Sequence, residues 1–374
     1  MQTIIFALIL VLIAGFINGS FATPMKFMTK WSEENTWFAF SFWGFLILPW
    51  ITILFMVPHT FKVVSSLPSN LLSSILVGGI VFGLGQIAFA LSFRYIGIGL
   101  AFVVNISMGT AGSALIPLLW HKNLLGTEYT YMQIAGIVIF VFAVSFGAAA
   151  GAARDRNRKE AKPQSTQGKA VKEIKTGKHL LGIVLAMLAG VGSICQGVSY
   201  IWANPSISKI ATSEFGVGTL AASIIAWVII FSAAWIPYCC YFLVLNFKNK
   251  GFSNFKISGT GKYWFITILM GVAFWGSLIF FSQASNVIGG DLAPTIAWPL
   301  FMVFIILTSN LWSWKSDEWK GAGIKASKRM IVSLLLFVVA IIVFSFSSRF
   351  EPKHEVHYQH IKHKAYPSYQ HGDK

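Results

Sequence analysis

Apolar residues run through this chain in ten long blocks separated by short polar gaps. The blocks lie at about 4–23, 36–57, 71–93, 98–120, 130–150, 180–203, 217–246, 262–286, 292–313 and 330–348. A bilayer is crossed by roughly 20 apolar residues in helical conformation, so each block predicts one transmembrane helix. The polar positions add a direction. Of the 29 Lys and Arg, 21 fall in the first, third, fifth, seventh and ninth gaps; Lys62, Lys122 and Lys209 occupy the other internal gaps, and five follow the last block. Basic residues mark the cytoplasmic side, so the odd gaps are expected inside and both termini outside. The basic residues of the C-terminal tail argue weakly against that orientation.

Composition agrees with the pattern. With 55% hydrophobic residues, 11% charged residues and a mean hydropathy of +0.67, the chain falls well outside the range of soluble domains, in which about a quarter of residues are charged. It reads as an all-α polytopic membrane protein. The first block has no basic segment before it and no small-residue cleavage site after it, so it is expected to remain as a span. The formal charge of +16 is concentrated in loops beside spans, which fits membrane topology and anionic lipid rather than nucleic acid. Cys195, Cys239 and Cys240 lie within apolar blocks and lack metal-ligand spacing; they are expected to be small packing residues.

Residues 151–178 form the one long polar interruption and predict a flexible cytoplasmic linker. It divides the chain into residues 1–150 and 179–349, five blocks each, followed by a polar tail at 350–374. The halves echo one another. At an offset of 192, Gly79, Phe82, Ile87, Phe89, Ile96, Gly97, Leu100 and Ala101 recur as Gly271, Phe274, Ile279, Phe281, Ile288, Gly289, Leu292 and Ala293. Ala14-Gly15-Phe16 is matched by Ala189-Gly190-Val191, and Leu48-Pro49-Trp50 by Ile236-Pro237-Tyr238. Five spans per copy, an odd number, put the two copies in opposite orientations. That inverted arrangement is typical of secondary transporters, which bind substrate near the midplane between the repeats.

None of the 13 acids lies in the middle of a block: Glu33, Glu34 and Glu214 are placed at helix starts, Asp291 in the gap before the ninth block, and the rest in loops or tail. Buried carboxylates usually mark ion pathways and catalytic pairs, so an intramembrane hydrolase is not expected, and neither a metal nor a cofactor is implied. At membrane depth the chain instead carries amides, hydroxyls and aromatics. Asn18, Gln86, Asn105, Gln196, Tyr200 and Gln283, with Trp275 and Trp298, suit an uncharged polyhydroxylated ligand, whose hydroxyls donate and accept and whose C–H faces pack on rings. The same residue types also serve helix–helix hydrogen bonding. His354, His357, His360 and His363 recur every third residue in the tail and are read as part of a disordered polar segment.

Local signatures then converge. Lys30-Trp31-Ser32-Glu33-Glu34-Asn35-Thr36-Trp37, followed by Ile47-Leu48-Pro49-Trp50, resembles the start of the L-rhamnose/proton symporter family. Gly83, Gly85 and Arg94-Tyr95-Ile96-Gly97 are similar to its third and fourth helices, and Ile296-Ala297-Trp298, Glu318-Trp319 and Ala322-Gly323 resemble its ninth helix and the following loop. The resemblance implies the drug/metabolite transporter fold: ten helices as two inverted five-helix repeats around a central cavity in the inner membrane. It also implies sugar uptake coupled to protons, with L-rhamnose the leading substrate. The stretch between Gln283 and Trp298 departs from the family in lacking basic and His residues. The expected coupling residue is Asp291 or Glu34, both also suited to helix N-terminal stabilisation, and Arg94 is expected to gate or to anchor topology. A metabolite exporter or exchanger of the same superfamily and a non-transporting sugar sensor are the alternatives.

Overall fold

The computed structural model describes residues 2–120, 126–160, 178–288, 297–347 and 350. The regular elements among them are helices: α1 Gln2–Ser20, α2 Glu33–Ser41, α3 Leu48–Met56, α4 Thr60–Ser65, α5 Ser69–Trp120, α6 Glu128–Glu160, α7 His179–Phe215, α8 Thr219–Lys248, α9 Gly261–Ile288, α10 Trp298–Lys315 and α11 Ile324–Ser347. Short 3₁₀ turns at Thr23–Phe27 and Gly251–Lys256 lie in two of the basic gaps. Seven helical segments among the described residues are long and apolar enough to cross a membrane. The protein is therefore a polytopic helical membrane protein.

Several boundaries depart from the hydropathy blocks, each for a local reason. The third and fourth blocks form one element of 52 residues, α5, broken at Gly97, where φ is +79° and ψ is 168°. Glycine takes that φ without steric cost. The second block is α2 and α3 joined by a π-helical segment at Phe42–Ile47. Pro49 has no N–H for the carbonyl four residues back, and Leu48 N–H instead closes a wider turn onto Trp43 O. α7 continues through Pro205, well beyond the block that ends at 203, and stops at Gly216. There φ is +65° and Val217 N–H reaches Ala211 O at 3.1 Å, a glycine-terminated cap. Glu214 accordingly lies in the last turn of α7, not at a helix start. Likewise α6 runs to Glu160, so the first ten residues of the expected flexible linker are helical. Of the cysteines, Cys239 is buried, Cys195 half-buried and Cys240 exposed.

Glycines set the packing. α7 lies along both arms of α5, α1 lies against α9 and α10, α8 packs on α5 and on α2 and α3, and α6 pairs with α11. At the α5–α7 crossing a Cβ on Gly85 would sit 3.0 Å from Gly192 Cα. At the α1–α10 crossing a Cβ on Gly15 would meet Phe304 Cβ at 2.3 Å and Phe301 O at 3.1 Å; at the crossing of α7 with the second arm of α5, one on Gly190 would meet Met108 Cβ at 2.3 Å and Asn105 O at 3.1 Å. Absent side chains let these backbones approach closely.

The five odd gaps meet at one end of the bundle. Asn35 Nδ2, at the start of α2, donates to Asn246 Oδ1 at 2.7 Å and to Gly251 O at 2.8 Å, while Asn254 Nδ2 donates to Asn35 Oδ1 at 2.8 Å. Trp31 is enclosed by Phe255, Tyr263 and Trp264, with ring centroids 4.7, 5.5 and 5.2 Å away. Lys30 Nζ donates to Ser258 O at 2.7 Å, and Asn157 Nδ2 to Ala322 O at 2.6 Å.

Candidate functional site

Between α1, α5, α7, α8, α9 and α10 the helices leave a cavity of about 100 Å³.

One side of the cavity is polar without being charged. Asn18 comes from α1, Gln86 and Asn105 from the two arms of α5, and Ser193 and Gln196 from α7. The Gly85–Gly192 crossing brings the glutamines together: Gln86 follows Gly85, and Gln196 lies one turn beyond Gly192. Asn18 Nδ2 donates to Ser277 Oγ at 2.7 Å, and Ser193 Oγ donates to Asn105 Oδ1 at 3.0 Å. The amides of Gln86 and Gln196, each 8% exposed, make no hydrogen bond among the described residues. Their amide groups open onto the cavity, where a ligand hydroxyl or water can meet them.

The other side is aromatic. Trp227 and Phe231 of α8, Phe274 of α9, and Trp298 and Phe301 of α10 line it. Trp227 is parallel to Trp298 within 13° at 6.4 Å and to Tyr200 within 16° at 3.9 Å. Toward the odd-gap end the cavity closes on a cluster of phenylalanine rings. Phe21 lies 5.4 Å from Phe40, 5.9 Å from Phe102 and 5.3 Å from Phe274.

Five of the seven expected ligand residues, Asn18, Gln86, Asn105, Gln196 and Trp298, thus share this cavity. Tyr200 does not line it; its ring backs Trp227 and its hydroxyl donates to Ser223 O at 3.3 Å. Gln283 is half-buried on α9 and away from the cavity lining. Trp275 also stands outside, donating from Nε1 to Thr52 Oγ1 at 2.8 Å. Glu34 accepts a hydrogen bond from Asn249 Nδ2 at 3.1 Å on the surface, and Arg94 pairs with Glu33 at 3.0 Å. Asp291 lies outside the described residues.

A neutral cavity, half amide and half aromatic, in a polytopic helical protein has the chemistry of a carbohydrate binding site. Comparison with known proteins gives that geometry a family. The model of the L-rhamnose-proton symport protein family matches residues 1–347. The chain belongs to this family. It is 25% identical over 331 residues to an L-rhamnose-proton symporter of Pectobacterium atrosepticum, covering 86% of this chain and 91% of that one. Relatives of the same name in Mannheimia succiniciproducens and Yersinia pestis are each 25% identical, over 338 and 349 residues. The first covers 86% of this chain and 91% of its own length, the second 91% and 96%. The family consists of transporters, not enzymes.

Within this symporter family member, sequence reasoning missed the apolar half of the cavity and one carboxylate. Trp227 is fully buried and resembled any core tryptophan in the sequence; its cavity-facing position depends on the path of α8. Glu318 lies in a loop by sequence but is only 7% exposed in the fold. Its Oε1 accepts from Lys26 Nζ, and Ser313 Oγ donates to its Oε2 at 2.5 Å. Burial pushes the Glu318 carboxyl up, but the charge and hydrogen bond of Lys26, the Ser313 hydroxyl and the Arg154 guanidinium outweigh it and hold the group below the usual carboxylate range.

Proposed function

We propose that the protein is an inner-membrane secondary transporter that imports L-rhamnose together with a proton, binding the sugar in the cavity described above. The observation that carries this reading is the pair of glutamine amides, Gln86 and Gln196, that open onto the cavity without a hydrogen bond among the described residues and face a wall of aromatic rings. Each amide offers two donors and an acceptor oxygen, matching the two-way hydrogen bonding of sugar hydroxyls. Ring C–H faces then pack on Trp227 and Trp298. Asn18 and Asn105 complete the polar side by exchanging their contacts with Ser277 and Ser193 for substrate hydroxyls. The relatives, L-rhamnose-proton symporters, supply the sugar and the ion. Moving one positive charge through ~100 mV is worth about 2.3 kcal/mol, enough for roughly a 50-fold sugar gradient.

The architecture we assign is ten spans in two inverted repeats of five, with Gly97 separating the third and fourth. Support comes from contacts that recur when the halves are exchanged. α1 on α9 is echoed by α7 on the first arm of α5, and α1 on α10 by α7 on the second arm. Gly15 against Phe301 and Phe304 has its counterpart in Gly190 against Asn105 and Met108. Gly79 abuts Ile230 and Ala233 of α8, and its repeat partner Gly271 abuts Trp43 and Gly44 in the second block. In this arrangement the basic odd-gap end is cytoplasmic and both termini are outside. The cavity is then shut on the cytoplasmic side by the Phe21, Phe40, Phe102 and Phe274 rings, and rocking of one repeat against the other exchanges its access.

Uptake of labelled L-rhamnose by cells lacking their own carrier tests the substrate. Saturable uptake that Gln86→Ala and Gln196→Ala each weaken supports the site. Uptake of rhamnose untouched by both changes removes the cavity from the account, and no uptake by protein located in the membrane removes rhamnose.

A further inference from the structure

We infer that Glu318 is the residue that couples the proton to the sugar, acting as a latch on the odd-gap end of the bundle; the inference rests on the symport reading above. Two independent features lead to it. The first is its surroundings. Glu318 sits in the loop after α10 and is tied to Lys26 in the turn after α1, so the pair joins the ends of two helices that line the cavity. Arg154 of α6, fully buried, lies 5.3 Å over the Trp319 ring and donates to Ile96 O at 3.1 Å. A Cβ on Gly97 would sit 2.8 Å from Glu318 Oε2, so the carboxylate is set against the break in α5. Among the described residues the charged groups acting on it include Lys26 and Arg154, while its neighbours Asp317 and Lys320 pair with each other at the surface.

The second is a polar seam. Met302 and Ile305 line the cavity, and the same face of α10 continues through Ser309, Asn310 and Ser313, which are 0%, 1% and 1% exposed. Spacings of three and four keep these residues on one side of a helix. Asn310 Oδ1 is buried without a hydrogen-bond partner, and Ser313 Oγ contacts both Glu318 Oε2 and Trp319 Nε1. The seam therefore runs along α10 from the cavity lining to the carboxylate.

The step is one proton transfer in each direction. A proton from water on the cavity side passes along the seam and binds a Glu318 carboxylate oxygen. The neutral carboxyl no longer holds Lys26, which keeps its charge and moves into water as the odd-gap end opens. The proton then leaves to water at that end, and the carboxylate recovers Lys26. Withdrawal of Lys26 removes the main interaction holding the carboxylate charged, and burial then pushes toward the neutral form while Arg154 still opposes it.

The test compares wild type, Glu318→Gln and the double variant Lys26→Gln/Glu318→Gln in energised cells. Accumulation of labelled L-rhamnose, alkalinisation of the medium and counterflow from preloaded sugar are measured together. Both variants should retain counterflow while the steady-state ratio falls from roughly 50-fold to about one and alkalinisation disappears. The double variant covers the case in which Lys26, stranded without its partner, prevents folding of the single one. Accumulation and alkalinisation at wild-type level in either variant overturn the assignment. So does loss of counterflow in both, from protein shown to be in the membrane, since that marks a general structural role. A wild type that takes up no rhamnose is a different result: it overturns the substrate alone, and the same comparison is then made with whichever sugar of a labelled monosaccharide panel it accumulates.

Discussion

At the scale of single residues, the account depends on which side chains carry unspent hydrogen-bonding capacity. Replacing Gln86 or Gln196 by Ala removes an amide that makes no hydrogen bond among the described residues, so stability should change little. The substrate bond, worth about 0.5–1.5 kcal/mol, is lost, and KM for uptake should rise roughly 2- to 13-fold. A KM unchanged by both substitutions contradicts their role. Trp31→Ala tests a structural residue instead. The side chain is 1% exposed and enclosed by three rings, and its loss should destabilise the protein by about 3–5 kcal/mol, read as a lower melting temperature in detergent. Residue type and depth were legible in the sequence, which is why Asn18, Gln86, Asn105, Gln196 and Trp298 are found together. The direction of a side chain around its helix was not. Tyr200 lies one turn beyond Gln196, yet its ring is held behind Trp227 by stacking at 3.9 Å rather than turned to the cavity. The burial of Glu318 was not legible for another reason. A carboxylate outside an apolar block reads as solvated, and its burial arises because segments from several gaps fold over it.

At the scale of elements, hydropathy located the helices but not their ends or breaks. The third and fourth blocks are parted in the sequence by little more than Arg94-Tyr95-Ile96-Gly97, and in the fold by the backbone of Gly97 alone. Gly97→Ala should be costly twice over, because φ is +79° and the added Cβ would press on Glu318. Sharply reduced uptake and a lowered melting temperature are expected, and wild-type behaviour of G97A would contradict the role given to the break. The ends of α6 and α7 extend past their apolar blocks because helical hydrogen bonding continues in water until a terminator is met, as Gly216 shows for α7. The glycine crossings were partly visible as a repeat. Their meaning, close backbone approach at equivalent places in two halves, required the distances.

At the scale of the whole molecule, the fold gathers charge at one end and leaves the cavity neutral. The ionised Glu318 carboxylate has its folded-state pKa depressed. Its contribution to stability is therefore fully present above the ordinary glutamate range and is lost as pH falls through the lower, folded value. Melting temperatures taken from neutral pH downward should show an acid-side decline that is shallower in Glu318→Gln; identical declines would contradict the pairing with Lys26 as its source. The division of labour also fits a symporter: an uncharged sugar is held by amides and rings, while Glu318, the one buried carboxylate among the described residues, stands apart from it at the end of a cavity-lining helix. The measurement that bears most directly on the whole is transport in proteoliposomes containing purified protein, with an acid exterior imposed on a neutral interior. Labelled L-rhamnose should accumulate inside above its external concentration, and the accumulation should collapse when a protonophore dissipates the gradient. Rhamnose that only equilibrates, whatever the imposed pH difference, would contradict proton symport.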